Sequence, residues 1–161
     1  MTKAAEKAMP KRPWVGEVSL AEITDRSRET LNTNLGMEFV EKTDTALIGR
    51  MPVDRRTCQP AGVLHGGASV AFAETLASWA GYMSIDRDRF HVVGQEINAN
   101  HLRPGKPGTW LRGTASPVHI GRRAHVWEIN IEGEDGKLVC ISRCTLAVIE
   151  QPSAYVTPES R

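Results

Sequence analysis

The chain has 161 residues, a formal net charge of +1 and 24% charged side chains. This length suits one domain with a core of its own, and 40% hydrophobic content is typical of a globular protein. The near-neutral balance does not favour nucleic acid or an anionic membrane, and we expect neither as a partner.

The start of the chain, MTKAAEKAMPKRP, is polar and lacks the charged-then-apolar pattern of a secretory signal. We therefore predict a disordered extension over 1–18 and a domain over 19–150. The remaining residues, 151–161, are predicted to form a frayed C-terminal tail.

The three cysteines are Cys58, Cys140 and Cys144. An odd number without a secretory signal favours a reducing, cytoplasmic location and no disulfide framework. Cys140 and Cys144 share one face of a predicted strand and are expected to be buried. Cys58 lies in a predicted loop, and no base at a defined spacing would activate it as a nucleophile.

The first third of the chain predicts a helix and then a strand. Residues 20–34 have helical composition, and Gly36 follows them as a plausible cap. Residues 45–53 are strand-like, and the Pro- and Gly-containing stretch VDRRTCQPAG predicts a loop.

The stretch from 66 to 85, GGASVAFAETLASWAGYMSI, predicts a long apolar helix whose only charged residue is Glu74. Its length would suit a membrane span. However, much of it is Gly, Ala, Ser and Thr, and the carboxylate lies near its centre, so a buried helix of a globular domain is the better interpretation.

Four strands are predicted after this helix. In HVVGQEINANHLR the odd positions Val93, Ile97 and Ala99 form an apolar line that Gln95 interrupts. The pattern of TWLRGTASPVH is looser, whereas RAHVWEINIEG alternates well. The dipeptide Asp135-Gly136 then predicts a hairpin turn into KLVCISRCTLAVIE, an interior strand that is apolar on both faces. One long helix with several antiparallel strands predicts an α+β fold, with the helix packed on one sheet.

The helix start, LHGGAS, is the first candidate for chemistry. Consecutive glycines let a ligand approach the backbone closely, and the Gly66 N–H with the helix dipole behind it would stabilise an oxygen that gains charge. Alternatively, these glycines only let the helix start pack tightly on the sheet.

Glu74 is the second candidate. A lone carboxylate in an apolar helix costs free energy unless something pairs or uses it. Of its neighbours three and four positions away, only Ser78 can hydrogen-bond and none can form an ion pair. We therefore favour a catalytic base over a merely structural acid.

The spacing of the two candidates predicts a shared site. Gly66 and Glu74 stand about 12 Å apart along a helix that rises 1.5 Å per residue. A base and an oxyanion donor must each lie within about 3 Å of their targets. If both act, Glu74 comes from one subunit and Gly66 from its symmetric partner.

Three segments together carry a resemblance to a known family: QPAGVLHGGASVAFAETLAS, VVGQEINANHLRP and HIGRRAHVW. They resemble the hotdog-fold acyl-CoA thioesterases, in the Glu-bearing branch of 4-hydroxybenzoyl-CoA and 1,4-dihydroxy-2-naphthoyl-CoA thioesterases, with the latter nearest. The resemblance covers about 36–150. It implies a sheet wrapped around one central helix, and homodimers that often pair into tetramers.

The resemblance also implies roles for individual residues. It assigns catalysis to Glu74, the oxyanion donor to Gly66, an orienting amide to Gln59, a flanking histidine to His65 and a hydroxyl to Ser78. It assigns the CoA arm to two groups of residues and to one glycine: His101, Leu102, Arg103 and Pro104; His119, Ile120, Gly121, Arg122, Arg123 and Ala124; and Gly94. The arginines suit phosphate oxygens, although a single arginine is more often a surface charge. The two histidines, His101 and His119, either line a channel or end strands.

The function implied is hydrolysis of aromatic acyl-CoA thioesters, such as 1,4-dihydroxy-2-naphthoyl-CoA in menaquinone biosynthesis, to a free acid and CoA. Glu74 either removes a proton from water or attacks the thioester directly. The alternatives are a non-hydrolytic acyl-CoA-binding protein, a thioesterase for phenylacetyl or medium-chain acyl groups, and a related dehydratase or hydratase. Trp79, Tyr82 and Met83 either line an aromatic pocket or belong to the core.

No metal or cofactor is expected, and CoA enters only as part of the substrate. The five histidines show no metal-ligand spacing. The sequence also lacks a Walker loop, a dinucleotide fingerprint and a Gly-x-Ser-x-Gly elbow.

Overall fold

The computed structural model describes residues 12–151. They form a six-stranded antiparallel sheet in the order β1-β2-β4-β5-β6-β3, with one long helix packed on its inner face. The helices are α1 (Leu20–Arg26), α2 (Leu31–Asn34) and α3 (Gly66–Tyr82), and the strands are β1 (Glu38–Lys42), β2 (Leu47–Pro52), β3 (Phe90–His101), β4 (Trp110–Ile120), β5 (Ala124–Glu132) and β6 (Leu138–Glu150). The predicted α+β architecture is confirmed.

The sequence explains why α3 lies close to the sheet. Gly49 of β2 and Gly113 of β4 face each other across the ladder. A Cβ on Gly113 would stand 2.6 Å from Leu76 and 2.7 Å from Phe72, and one on Gly49 would stand 2.8 Å from Leu76. Because neither position carries a side chain, Phe72 and Leu76 sink into the sheet, where they are almost fully buried.

The single helix predicted over 20–34 is wrong, because two short helices replace it. Ser27 ends α1, and Glu29 adopts a left-handed φ of 56°. Thr30 then caps α2 through a capping box with Thr33. Helical composition therefore extended the prediction across a break that polar capping side chains create.

The short strand β1 was missed. Its residues, EFVEK, are exposed apart from the half-buried Phe39 and Lys42, and they include three charges. An edge strand with little burial shows no clear alternation of apolar and polar residues, so its sequence does not indicate a strand.

The predicted set of inward-facing apolar residues is correct for one half of β3 and wrong for the other, because the strand contains a β-bulge. Gly94 pairs with Leu146 and Glu96 pairs with Thr145, so Gln95 is an extra residue without a partner. The bulge reverses which side chains face inward. Val92 therefore joins Ile97 on the inner face, whereas Val93 is 41% exposed.

The remaining strands follow the prediction. Trp127, Ile129 and Ile131 of β5 are fully buried, and the turn around Asp135-Gly136 joins β5 to β6 with Gly136 at a φ of 71°. Cys140 and Cys144 are buried on the inner face of β6, and the three cysteines are free thiols.

Part of the predicted disordered extension has a defined path. Trp14 stacks on Trp127 with ring centroids 6.2 Å apart, and its Nε1–H donates to the Thr43 carbonyl at 2.8 Å. The Val15 N–H donates to the Met83 carbonyl. The prediction of disorder is therefore wrong for these residues, and the predictions for 1–11 and 152–161 lie outside the described residues. Between residues 12 and 151, no helix has the length and apolar character needed to cross a membrane.

Candidate active site

The start of α3 leaves one backbone donor free. His65 is the N-cap, and its Nδ1 accepts a hydrogen bond from the Gly67 N–H at 2.8 Å. The His65 carbonyl accepts from the N–H groups of Ala68 and Ser69. The Gly66 N–H has no acceptor in residues 12–151. A helix start concentrates positive potential on such a group, which can therefore bind an oxygen that carries charge.

A cavity of about 380 Å³ opens at this helix start. Its wall includes Gln59, Leu64, Gly66, Ser69 and His101. The Gln59 side-chain Nε2–H donates to the Leu64 carbonyl at 3.4 Å, so the amide oxygen stays available. Of the predicted site residues, Gln59 and Gly66 therefore share this cavity, whereas His65 lines a separate cavity with Gly67 and Ala68.

His101 approaches the helix start from the end of β3. A Cβ on Gly66 would lie 3.0 Å from His101 Nε2, so the absence of a side chain lets the ring pack against the backbone. Leu102, Arg103 and Pro104 line the same cavity. The structure thus places this predicted group beside the free Gly66 N–H.

Glu74 lies elsewhere on α3 and points towards β3. A Cβ on Gly94 would stand 2.6 Å from Glu74 Oε1, so the carboxylate lies over bare backbone. Glu74 is half-buried, and it has no hydrogen bond or ion pair with any other described residue. Burial, followed by the charges of Glu74 and Glu96, raises the pKa of the Cys144 thiol to about 12.

Glu74 does not line the cavity at Gly66. One chain therefore brings together a free backbone N–H, an amide and a histidine, but its acid lies about two turns further along the helix. Ser78 lies one turn beyond Glu74 on the same half-buried face of α3, and it too is absent from the cavity wall.

The sheet has two very different edges. The edge strand β1 is short, has a bulge and carries charges that pair with its neighbours, as Glu38 does with Arg50. The other edge strand, β3, spans 12 residues, and most of them are exposed from Val93 onward. A long unpaired edge invites pairing with another strand.

The second predicted CoA-binding group, 119–124, covers the end of β4, the turn that follows and the first residue of β5. His125 pairs with Leu146 and Leu146 pairs with Gly94, so this turn lies level with Gly94 and Glu74. His101 pairs with Cys140 at the far end of β3. One chain therefore keeps the two predicted groups apart.

Comparison with known proteins identifies the family. Residues 61–140 match the sequence profile of the Thioesterase superfamily. The proofreading thioesterase EntH of Cronobacter turicensis is 46% identical over 136 residues, which are 84% of this chain and 98% of that protein. The chain belongs to the Thioesterase superfamily.

Solved structures agree on the hotdog fold of this thioesterase. Thioesterase HI1161 of Haemophilus influenzae matches with a TM-score of 0.84 and 40% identity, over 89% of this chain and 99% of that one. SAV0944 of Staphylococcus aureus, crystallised with one glutamate replaced by alanine, matches with a TM-score of 0.72 and 36% identity, over 75% and 99% of the two chains. It was also crystallised with one glutamine replaced by alanine, and the two altered positions are 15 residues apart.

Two buried polar residues of this thioesterase were missed at the sequence level. Ser69 is fully buried at the wall of the cavity, and its hydroxyl has no hydrogen-bond partner among the described residues. His125 is buried on the inner face of β5, and its Nδ1 likewise has no partner there. Burial, followed by the charge of His119, lowers the pKa of His125. The available signal was a polar residue at an inward-facing position of its element.

The aromatic residues at the end of α3 belong to packing rather than to the cavity. Trp79 and Tyr82 meet edge to face at 5.4 Å, and Phe39 packs on Trp79 at 6.1 Å. Met83 is buried.

Within residues 12–151, no three His, Cys, Asp or Glu side chains gather as the ligands of a metal would.

Proposed function

We propose that this thioesterase hydrolyses acyl-CoA thioesters of small aromatic acids, with 1,4-dihydroxy-2-naphthoyl-CoA of menaquinone biosynthesis as one candidate substrate. We also propose that each active site is shared between two copies of the chain. The observation that carries this is the separation, within one chain, of the free Gly66 N–H from the unpartnered Glu74 carboxylate.

A symmetric dimer would reunite these groups. In a twofold dimer whose α3 helices run antiparallel, Gly66 of each chain faces Glu74 of the other, and the helices meet near the midpoint, Val70. The long exposed edge of β3, which lies beside Glu74, is the surface available for pairing. The same symmetry would bring 101–104 of one chain towards 119–124 of its partner, and so would complete a binding groove for the CoA arm.

The chemistry follows from these positions. Glu74 takes a proton from water while the water oxygen attacks the thioester carbonyl, and the Gly66 N–H stabilises the resulting oxyanion. Collapse of the intermediate breaks the C–S bond, and the thiolate of CoA leaves and takes up a proton. A thiol has a pKa of about 8.5, so its departure needs no strong acid. The alternative, direct attack by Glu74, forms a mixed anhydride that water then hydrolyses.

The relative from Staphylococcus aureus supports the choice of residues. Its two altered residues, a glutamine and a glutamate, are 15 positions apart. Gln59 and Glu74 of this chain have the same spacing. We therefore assign Gln59 to the thioester or the attacking water, with its amide oxygen free to accept a hydrogen bond.

The test is replacement of Glu74 by glutamine, followed by assay of free thiol release from benzoyl-CoA, 1,4-dihydroxy-2-naphthoyl-CoA, phenylacetyl-CoA and a medium-chain acyl-CoA. We expect wild type to prefer the aryl substrates, and Glu74→Gln to lose at least about 10³-fold in kcat with an unchanged melting temperature. Glu96→Gln is the matched control, since the charge of Glu96, like that of Glu74, raises the pKa of Cys144. Hydrolysis by Glu74→Gln at near the wild-type rate would refute the assignment, and a preference for medium-chain substrates would refute the aryl proposal.

A further inference from the structure

The cavity at Gly66 contains a polar group that the proposed mechanism does not use. The Ser69 side chain is fully buried, and its Oγ has no hydrogen-bond partner in residues 12–151. Serines inside helices commonly bond to the carbonyl one turn back, but the His65 carbonyl is already occupied by the Ala68 and Ser69 N–H groups. A buried hydroxyl without a partner destabilises a fold, so a ligand or water is expected to complete it.

The position of Ser69 relates it directly to the oxyanion donor. Helical side chains lean towards the helix N-terminus and cover the residue three positions earlier, which here is Gly66. Gly66 has no side chain to block that approach, and both residues line the same cavity.

The hydrogen bonds of the helix start supply the second argument. His65 takes up the N–H groups of Gly67, Ala68 and Ser69, so the first turn offers a substrate only the Gly66 N–H. An oxyanion accepts more than one hydrogen bond, and sites of this type usually provide two donors. The Ser69 hydroxyl is a fully buried donor at this place that no described residue uses.

We propose that Ser69 Oγ–H donates the second hydrogen bond to the thioester oxygen as it becomes an oxyanion, beside the Gly66 N–H. The inference rests on the proposed hydrolysis and adds a substrate-contacting residue to it. No covalent bond forms to Ser69, and its proton stays on the hydroxyl throughout the reaction.

The test compares Ser69→Ala and Ser69→Cys with wild type, using benzoyl-CoA turnover and thermal unfolding. We expect Ser69→Ala to lower kcat about 10²-fold, with KM within about threefold, because the bond strengthens only in the transition state. Its melting temperature should not fall, since the hydroxyl removed has no partner. Ser69→Cys keeps a weak donor of similar size, so its kcat should lie between those of wild type and Ser69→Ala.

Ser84→Ala is the matched control. Ser84 is a buried serine just beyond α3 whose Oγ–H donates to the Ala80 carbonyl at 2.8 Å, so its loss should lower the melting temperature and leave kcat unchanged. A kcat of Ser69→Ala within twofold of wild type would overturn the inference, as would a loss that accompanies a fall in melting temperature like that of Ser84→Ala. Wild type that hydrolyses none of the thioesters would instead refute the proposed function itself.

Discussion

The Glu74 carboxylate lies directly over the backbone of Gly94, at a distance that leaves no room for a side chain on that residue. Gly94 pairs with Leu146 at the bulge of β3 and faces inward towards α3. The edge strand thus sets the position of the acid, which links the sheet edge to the proposed chemistry.

Replacing Gly94 with alanine should displace the carboxylate without unfolding the domain. A new Cβ would stand 2.6 Å from Glu74 Oε1, and the flexible acid would move aside. Misplacing a catalytic group by about 1 Å costs about 10²-fold in rate, so we expect a loss of that order in kcat. Steady-state kinetics with benzoyl-CoA would measure it.

Gly133→Ala is the control for this substitution. Gly133 follows β5, and a Cβ there would meet the tip of Asp135 at 3.2 Å and the Val139 side chain at an ordinary contact distance of 3.8 Å. Its kcat should stay at the wild-type level. Equal rates for Gly94→Ala and wild type would show that the position of this carboxylate does not matter for turnover.

Mixing inactive subunits should restore activity if each site takes residues from two chains. Gln59→Ala and Glu74→Ala proteins, each inactive alone, would form heterodimers with one intact site of two. Random exchange should then recover about a quarter of wild-type activity. The measurement is turnover after exchange, with heterodimers quantified by affinity tags.

Placing both substitutions in the same chain provides the converse test, in which no activity should be restored. Heterodimers of wild type with Gln59→Ala/Glu74→Ala should have no intact site, because each site would combine one wild-type residue with one altered residue. Activity in those heterodimers, or none in the complementing pair, would place Gln59 and Glu74 in the same chain's site.

Arg103 should act on the phosphates of CoA rather than on the acyl group. It lines the cavity beside His101, and its Nη1–H donates to the Leu138 carbonyl at 2.8 Å. We expect Arg103→Ala to raise KM for benzoyl-CoA about tenfold through loss of a charge-assisted hydrogen bond. KM for S-benzoyl-N-acetylcysteamine, which has no phosphate, should not change.

Arg28→Ala is the charge-matched control, since Arg28 is exposed and pairs with Asp25. It should leave KM for both substrates at the wild-type value. A parallel rise for the two substrates in Arg103→Ala would mean that this arginine shapes the cavity instead of binding phosphate.

Stability should fall in mild acid because of His125. Burial lowers its pKa in the folded protein, so the unfolded chain binds more protons below about pH 6.5. Above that pH, His125 is neutral in both states and does not lower the free energy of unfolding. As the pH falls through this value, the free energy of unfolding decreases, until His125 is protonated in the folded state as well.

The variant His125→Leu tests this dependence. Thermal unfolding at pH 7.5 and pH 5.5 should show a smaller drop for His125→Leu than for wild type, because the buried position no longer takes up a proton. An identical drop in the two proteins would assign the acid sensitivity to other groups.

The sequence predicted the elements whose burial repeats regularly. The helix from Gly66 and the alternation of Trp127, Ile129 and Ile131 are strong patterns because one face of each element is fully buried. The site residues around Gly66 were predicted by their chemistry and by resemblance, and the structure brings Gln59, Gly66 and His101 together.

The features that the sequence did not predict depend on contacts or capping rather than on periodicity. The strand β1 is held by pairing with β2, the bulge at Gln95 shifts the register by one residue, and the break near Glu29 comes from local caps. Ser69 was missed for a related reason. Serine is compatible with many helical surroundings, so only its burial and missing partner distinguish it.

The stacking of Trp14 on Trp127 has a consequence for how the chain reaches its final form. The first indole leaves the ribosome long before the second exists, so the N-terminal stretch has to wait until β5 is in place. These residues therefore dock only after β5 has been synthesised, and they then cover the indole of β5 and the backbone at the end of α3. A shortened protein that starts at α1 would leave the indole of β5 and the backbone at the end of α3 exposed to water.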